Sequence, residues 1–205
     1  MTHIYEPRLS RIAIDKLRPT QIAVGFREVE LKRKEWRETR KKDGDDFLGN
    51  HIVPVVAGPK DRAYLIDHHH LVLALSKEGV EHVLTSEVAK FSHLGKDEFW
   101  SVMDHRNLIY PFDAQGLRRQ PGDIPKNIHD LEDDPFRSLA GALRMAGGYA
   151  KVIIPFSEFG WADFLRRRID RDLLSDSFDE ALAEAMKLAK SREARHLPGW
   201  CGVEE

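Results

Sequence analysis

The 205-residue sequence contains a single cysteine, Cys201, close to its C-terminal end. One cysteine excludes a disulfide framework and a cysteine-based metal cluster, and it gives little support to catalysis by a thiol. The sequence has no long apolar run, and its first residues lack the apolar core of a signal peptide. We therefore expect a cytoplasmic protein that does not cross a membrane.

A strong excess of charge of one sign is also absent. The formal net charge is −2 at pH 7, and the pI is about 6.6. Nucleic-acid-binding domains usually carry a basic face, so the overall charge gives no reason to expect such a partner, although a local basic patch stays open. With 41% hydrophobic residues, the chain can bury one large core, or one core with a helical annex.

The most informative stretch joins two short apolar segments through four polar residues. Residues 63–66 fit a strand and residues 71–78 fit a helix, so Asp67 to His70 fall at the junction. The first turn of a helix leaves backbone N–H groups without partners, and such turns bind phosphate. Asp67 fits the N-cap, whereas three histidines are unfavourable there, which indicates a function. The alternative is a capped helix whose histidines are merely exposed or bonded to nearby loops.

Periodicity predicts the order of elements in the first half of the chain. Strands are predicted for residues 11–15, 51–57, 62–66 and 80–89, and helices for residues 21–42, 71–78 and 95–107. Pro54 indicates that the second of these strands is an edge strand or contains a bulge. This order predicts an α+β fold in which helices pack on a small mixed β-sheet.

One stripe of the predicted 21–42 helix combines Gln21, Gly25, Glu28 and Lys32. Glycine costs about 1 kcal/mol in a helix interior relative to alanine, so Gly25 indicates the close approach of another group. The stripe is a candidate ligand-facing surface, and a solvated polar face explains it equally well.

The second half of the chain differs in character. Residues 110–125 contain three prolines, which predicts a long loop or a wrap over the first domain. Asp134 followed by Pro135 predicts a helix start, and Arg137 lies on one face of that helix with Arg144. These arginines form a second phosphate-directed surface, or they are exposed and pair with Glu132 or Asp133. Two more helices are predicted, from residue 156 to 168 and from a capping box at Ser177 and Glu180.

Five segments together resemble the ParB-like nuclease family of the ParB/sulfiredoxin superfamily. They are Leu17-Arg18-Pro19-Thr20-Gln21, the Gly25–Lys32 stretch, Asp67-His68-His69-His70, Asp133-Asp134-Pro135-Phe136-Arg137-Ser138 and Leu197-Pro198-Gly199. The resemblance implies a ParB/sulfiredoxin-like nucleotide-binding domain over residues 8–109. Residues 110–205 would form a loop and helical extension packed on it.

Members of this superfamily place different groups on the phosphate-binding loop. Sulfiredoxins carry a cysteine there, and this sequence has none near Asp67. ParB partition proteins carry arginines and a helix-turn-helix, which this sequence also lacks. Free serine kinases have an acidic residue followed by histidines, and Asp67-His68-His69 is most similar to that version, without its usual glycine and terminal arginine.

The resemblance and the residues together suggest phosphoryl transfer or phosphate-ester cleavage. Asp67, His68, His69 and Glu28 are the candidate catalytic residues, with Asp67 holding Mg²⁺ or orienting a hydroxyl and Glu28 acting as base. Lys32 would clamp phosphate charge. The full set of candidate phosphate- and nucleotide-binding residues is His70, Gln21, Gly25, Lys32, Arg137 and Ser138. The expected ligands are ATP, ADP or CTP, while the acceptor, DNA binding and a homodimer stay open.

Two further classes of function fit the same residues. A metal-dependent phosphoesterase would use Asp67 and the histidines as ligands. It normally needs further aspartates on earlier strands, and consecutive helical histidines point about 100° apart, so all three cannot easily bind one ion. A non-catalytic nucleotide-sensing or DNA-binding module is the other alternative.

Overall fold

The computed structural model describes residues 9–202, with the backbone alone described for residues 42–46. The strands are β1 (Leu9–Ala13), β2 (Ala23–Val24), β3 (Val53–Gly58), β4 (Arg62–Leu65), β5 (His82–Lys90) and β6 (Glu132–Asp133). The helices are α1 (Phe26–Asn50), α2 (His69–Lys77), α3 (Lys96–His105), α4 (Pro135–Met145), α5 (Ser157–Arg166), α6 (Arg171–Asp176) and α7 (Phe178–Ala189).

Four strands form a mixed sheet in the order β1, β5, β3, β4. β5 pairs with β1 in the antiparallel and with β3 in the parallel sense, and β3 and β4 form an antiparallel pair. The predicted α+β fold with a small mixed sheet is thus confirmed. β3 lies inside the sheet, so the edge position suggested by Pro54 is wrong. The bulge is confirmed by a shift of register between Val55 and Val56.

The first long helix begins at Phe26, and the prediction that it starts at Gln21 is wrong. Ala23 and Val24 instead pair with the short strand β6 in the parallel sense. The hydroxyl of Thr20, just before β2, donates to the carbonyl of Leu65 at 2.6 Å. The helix continues to Asn50, beyond residue 42, where the sequence predicts its end.

Three hydrophobic clusters fill the interior. One lies between the sheet and helices α1 and α2 and includes Val29, Leu65 and Val72. The second, around Phe99 and Met103, joins α3 to the other side of the sheet. The third joins helices α4 to α7 around residues such as Leu143, Trp161, Leu165 and Ala181.

The segment that links the two halves contributes apolar side chains to the clusters of the first half. Ile124 belongs to the cluster of α3, while Ile128 and Leu131 belong to the cluster beneath α1 and α2. The helices that follow have their own cluster. The boundary between residues 109 and 110 stays a prediction.

The start of α4 is as predicted. Pro135 is its first residue, and the Asp134 side chain accepts from the backbone N–H groups of Phe136 and Arg137 at 3.0 and 3.2 Å. The prediction of a capping box for α7 is wrong. Ser177 is the N-cap residue of this helix, but its side chain makes no capping hydrogen bond. Within residues 9–202, no helix combines the length and apolar character that crossing a bilayer requires.

Candidate functional site

A cleft of about 790 Å³ opens beside the first turn of α2. Eight of the ten predicted site residues line it, and much of the remaining wall comes from residues 107–108 and the segment 151–159, with further contributions from residues such as His51, Leu71 and Arg144. The eight are Gln21, Glu28, Lys32, Asp67, His68, His69, His70 and Arg137. The structure therefore brings together most of the candidate residues, which lie in three separate parts of the sequence.

The backbone at the start of α2 differs from the prediction. His68, and not Asp67, is the N-cap residue, with φ 66° and ψ 21° in the left-handed region. Asp67 Oδ1 accepts from the backbone N–H of His68 at 2.6 Å. The part of the chain that the structure describes supplies no acceptor for the N–H groups of His69, His70 and Leu71, and all three residues line the cleft.

The imidazole of His69 is a buried structural group. It is 3% exposed, and its Nε2 accepts from the backbone N–H of Thr20 at 3.1 Å. Burial, together with the neighbouring histidines, lowers its pKa to about 3. The ring is therefore neutral at pH 7 and already engaged, so its predicted catalytic role does not enter the proposal below.

His70 also serves as a hydrogen-bond acceptor within the fold. Its Nε2 accepts from the backbone N–H of Gly25 at 3.0 Å. Burial, and then the charge of Arg137, lower the pKa of His70 well below its usual value. A neutral ring that accepts at Nε2 carries its proton on Nδ1. Because the rings of His69 and His70 are neutral, they are not repelled by the positive end of the α2 dipole.

His68 differs from both of its neighbours. Its side chain is half-buried, and no hydrogen-bond partner of its ring occurs among the described residues. Burial lowers its pKa, while the charge of Asp67 opposes this effect. The left-handed conformation costs on the order of 1–3 kcal/mol for a residue other than glycine. His68 is thus a neutral and unengaged imidazole at a strained position.

The two predicted residues that do not line the cleft, Gly25 and Ser138, lie where α1 meets α4. A Cβ atom at Gly25 would lie 2.6 Å from Ser138 Oγ and 2.8 Å from its backbone nitrogen. Ser138 Oγ accepts from the N–H of Arg27 at 3.2 Å, and Asp133 Oδ1 accepts from that of Phe26 at 2.8 Å. The group that approaches Gly25 is therefore α4, and the structure gives neither residue access to a phosphate.

A network of buried charges connects α1, α4 and α5. Arg137 is 5% exposed; its Nη1 lies 2.9 Å from Glu28 Oε2, and its Nη2 donates to Glu158. Arg144 Nε lies 2.7 Å from Glu158 Oε1. The expected pairing of the arginines with Glu132 or Asp133 is wrong. Because Glu28 and Arg137 bind each other, neither is free as a base or as a phosphate ligand.

Besides Asp67 and His68, the predicted residues Lys32 and Gln21 remain available to a ligand. Lys32 is a partly exposed cation whose Nζ lies 2.8 Å from Glu35 Oε2, and a solvent-exposed pair of this kind is weak. Gln21 is only 4% exposed, and its Nε2 donates to the carbonyl of Ala23 at 2.9 Å. Its Oε1 accepts no hydrogen bond from any described residue.

The residues present do not form a ready metal site. Within residues 9–202, no group of three or more His, Cys, Asp and Glu side chains is arranged to hold an ion. His69 and His70 already use their Nε2 atoms as acceptors. This arrangement does not fit the metal-dependent phosphoesterase alternative. Asp67 alone could bind Mg²⁺ that arrives with substrate phosphates.

Sequence reasoning did not find the wall formed by residues 151–159. It contributes Lys151, Phe156, Glu158 and Phe159 to the cleft, and Arg144 of α4 lies beside it. The segment before α5 has no regular secondary structure, so periodicity gives no signal. Gly147-Gly148 and the apolar Val152-Ile153-Ile154-Pro155 are the only local indications.

The solved structures that resemble this chain include the following two. The crystal structure of protein Atu1540 from Agrobacterium tumefaciens is 96% identical, with a TM-score of 0.92 over 98% of this chain and 100% of that chain. The C2221 form of a Pnob8-like ParB-N domain is 11% identical, with a TM-score of 0.27 over 94% of this chain and 70% of that chain. This second score is too low to bear on the fold. No curated protein matches.

The family comparison covers the sheet, the cleft and helix α4. The sequence model of the family described as "Putative ParB-like nuclease" matches residues 10–167. This range includes every residue that lines the cleft. Since it spans well over half of the sequence, the chain belongs to the ParB-like nuclease family.

Proposed function

We propose that the cleft binds the phosphate groups of a nucleotide at the first turn of α2 and carries out phosphoryl transfer or phosphate-ester cleavage there. The observation that supports this most directly is the row of backbone N–H groups of His69, His70 and Leu71, which have no acceptor in the described part of the chain. Such a turn attracts anions through its N–H groups and its dipole.

The charges around the turn favour the same ligand. Lys32 lines the cleft and is held only by a partly exposed pair with Glu35. Glu28 and Glu158, which also line the cleft, are paired with Arg137 and Arg144. A phosphate at the turn would therefore meet N–H donors and the cation of Lys32. The exposed carboxylate of Asp67 also lies at this turn, where it is the group proposed to orient a hydroxyl or to bind Mg²⁺.

Asp67 and His68 are suited to the chemical step. Asp67 is exposed, and the backbone N–H of His68 fixes its Oδ1, which leaves Oδ2 to orient an attacking hydroxyl. The neutral ring of His68 would accept the hydroxyl proton as the attacking oxygen bonds to phosphorus and the leaving oxygen departs with its electron pair. Phosphoryl transfer needs positioning and charge neutralisation more than covalent help from the protein.

The candidate ligands are ATP, ADP and CTP, and Mg²⁺ is the candidate metal. Mg²⁺ commonly binds through one or two carboxylates and the phosphates of the substrate, and Asp67 is the carboxylate placed for this. When bound, the ion would neutralise phosphate charge.

A non-catalytic nucleotide-binding module is the second candidate. The observation that favours it is the engagement of His69, Glu28 and Arg137, three residues predicted for the site, in contacts within the fold. A module of this kind would bind nucleotide with the same N–H groups and would not turn it over.

Calorimetric titration with ATP, ADP and CTP, with Mg²⁺ or with EDTA, tests the binding. Lys32→Ala should weaken affinity about tenfold at low salt, because a nearby unit charge is lost. Lys34→Ala is the matched control, since Lys34 lies on the same helix, is 74% exposed and does not line the cleft. Absence of binding by any nucleotide would overturn the proposal.

Turnover is followed by ³¹P NMR, with serine, plasmid DNA and single-stranded DNA as trial acceptors or substrates. Asp67→Asn should keep the fold and the nucleotide affinity and should abolish turnover. A fully active Asp67→Asn would remove Asp67 from the mechanism. Binding without turnover under all conditions would favour the non-catalytic module.

A further inference from the structure

Five residues other than glycine have a positive φ in the described part of the chain: Lys60, Asp61, His68, Asn107 and Phe156. Lys60 and Asp61 form the tight connection between β3 and β4. Asn107 follows the end of α3, and asparagine is common in this conformation at helix ends. Ordinary turn chemistry therefore explains these three and leaves His68 and Phe156.

His68 and Phe156 share two properties. Each is the N-cap residue of a helix, a position that normally has extended backbone, and each lines the cleft. For a bulky aromatic residue such as Phe156, with φ 57°, the left-handed region is a genuine outlier. Strained residues of this kind cluster at ligand clamps and active sites. Because His68 belongs to the phosphate end of the cleft, Phe156 indicates a second contact with the same ligand.

Phe156 belongs to an aromatic wall, which we define as Phe156 and Phe159 backed by Tyr110. Tyr110 stacks on Phe159 with ring centroids 4.0 Å apart, and the centroid of Phe156 lies 5.3 Å from that of Tyr110. Phe156 is half-buried, so part of its ring remains at the cleft. Aromatic rings of this kind are the usual platforms on which nucleobases stack.

A continuous chain of contacts leads from the phosphate end to the aromatic wall. His69 binds the N–H of Thr20, the next residue is Gln21, and Gln21 pairs with Tyr110 through a parallel β-bridge. Gln21 is buried and donates its Nε2 to Ala23, so its Oε1 is left as an acceptor without a partner among the described residues. An unpaired acceptor that lines the same cleft as an aromatic wall favours a ligand that offers a hydrogen-bond donor.

We propose that the aromatic wall and Gln21 form the nucleobase end of the cleft. Phe156 stacks on the base, and Gln21 Oε1 accepts from its exocyclic amino group. This favours adenine and cytosine over guanine and uracil, which present a carbonyl oxygen at the corresponding position. The inference rests on the proposed function, because the phosphates of the same nucleotide occupy the start of α2.

Calorimetry with inorganic tripolyphosphate, ATP, CTP, GTP and UTP tests the base end separately from the phosphate end. We expect the native protein to bind ATP and CTP at least about tenfold more tightly than tripolyphosphate, GTP or UTP. Equal affinity for all five ligands would overturn the proposal of a nucleobase site and would leave the proposal of a phosphate site standing. Failure to bind any of the five overturns the proposed function itself.

Phe156→Asn removes the ring at a residue type that accepts a positive φ. Affinity for ATP and CTP should fall about 5- to 100-fold, with that for tripolyphosphate unchanged. Phe112→Asn is the matched control, because Phe112 stacks on the same Tyr110 with ring centroids 4.5 Å apart but does not line the cleft. Equal losses in the two variants overturn the proposal.

Two further variants cover the case in which Phe156→Asn does not fold. Phe156→Trp retains a stacking face and should keep the native affinity for ATP within about threefold. Gln21→Met removes the acceptor and should bring CTP and UTP to equal affinity. A Trp variant that loses nucleotide binding, or a Met variant that keeps the native preference, overturns the proposal.

Discussion

The imidazole of His70 and the backbone N–H of Gly25 are joined by a hydrogen bond of 3.0 Å. This bond holds the first turn of α2 against the start of α1, where α4 also packs. A histidine at this helix start therefore completes the hydrogen bonding of a different helix. His69 likewise accepts from the backbone N–H of Thr20, which lies in the irregular segment before β2. Two of the three histidines thus shape the cleft, and only His68 is left for a ligand.

Replacing His70 should destabilise the protein, and the loss should be smaller when the new side chain can still accept a hydrogen bond from the N–H of Gly25. His70→Ala leaves the N–H of Gly25 without a partner, which costs about 1–3 kcal/mol of unfolding free energy. His70→Gln can place an amide oxygen near the position of Nε2 and should recover part of this loss. Unfolding in urea measures both variants, with the exposed His105 replaced by alanine as control. Equal losses for Ala and Gln at position 70 would contradict the assigned role.

Gly25 should not tolerate a methyl group. A Cβ atom there would lie 2.6 Å from Ser138 Oγ and 2.8 Å from the Ser138 backbone nitrogen, so Gly25→Ala must separate α1 from α4. We expect a loss of about 1–3 kcal/mol, measured by urea unfolding. Gly49→Ala, near the other end of α1, meets nothing within 4 Å and should stabilise the protein by about 0.5–1 kcal/mol. A neutral Gly25→Ala would show that the two helices can move apart freely.

The sequence was sufficient to predict the order of the main strands and helices along the first half of the chain and a small mixed sheet. The short apolar runs at residues 51–57 and 62–66, separated by turn residues and followed by the apolar residues of α2, are local signals, and the fold contains two strands and a helix at these places. The start of α4 was also predictable, because Asp134 and Pro135 are local signals.

The predictions from sequence are wrong where segments that are far apart in the sequence contact each other in the fold. Gln21 to Val24 have helical spacing, yet Ala23 and Val24 pair with Glu132 and Asp133, and the helix starts only at Phe26. The roles of Glu28 and Arg137 could not be predicted for the same reason, since each is set by the other and by Glu158. The wall around Phe156 depends on tertiary packing alone.

The pH dependence of stability should contain a contribution from His69. Its pKa in the folded protein is lowered to about 3, so the folded state binds fewer protons than the unfolded chain below the ordinary histidine pKa. This contribution is complete above pH 6.5 or so and is lost as the pH falls toward about 3, by at most about 1.4 kcal/mol per pH unit.

His69→Gln keeps an acceptor for Thr20 and removes the titrating group. Urea unfolding at pH 7, 6, 5 and 4 should show that the free energy of unfolding falls less steeply in this variant than in the native protein. Parallel curves over that range would mean that His69 is protonated in the folded state or is exposed to solvent.

Glu78 should contribute stability that acid removes. Its carboxylate is 7% exposed and binds Arg33 and Arg37 of α1 at 2.7 and 2.6 Å, and the hydrogen bond from Arg37 is the main reason that its pKa falls to about 2. Glu78→Gln should lose about 1–3 kcal/mol at pH 7. Because the folded pKa is lowered, the difference from the native protein should shrink as the pH falls from about 4.5 to 2.

The exposed Glu81, replaced by glutamine, is the control for Glu78, and urea unfolding at several pH values is the measurement. A loss of stability at Glu78→Gln that does not change with pH would assign the effect to packing of the side chain and not to its charge.

Replacing Arg137 should show whether this side chain stabilises the fold or binds phosphate. Both of its terminal nitrogens are engaged by Glu28 and Glu158, so Arg137→Met should leave two carboxylates without their partner and cost about 3–5 kcal/mol of unfolding free energy. Tripolyphosphate affinity, measured at a temperature where the variant is folded, should change by less than about threefold, whereas Lys32→Ala should lower it about tenfold. The reverse pattern, with a stable Arg137→Met that no longer binds tripolyphosphate, would place Arg137 on the ligand, as the sequence first suggested. Arg137→Lys supports the distinction, because lysine keeps the charge but cannot hold both carboxylates with a planar fork, and it should therefore lose stability while retaining tripolyphosphate binding.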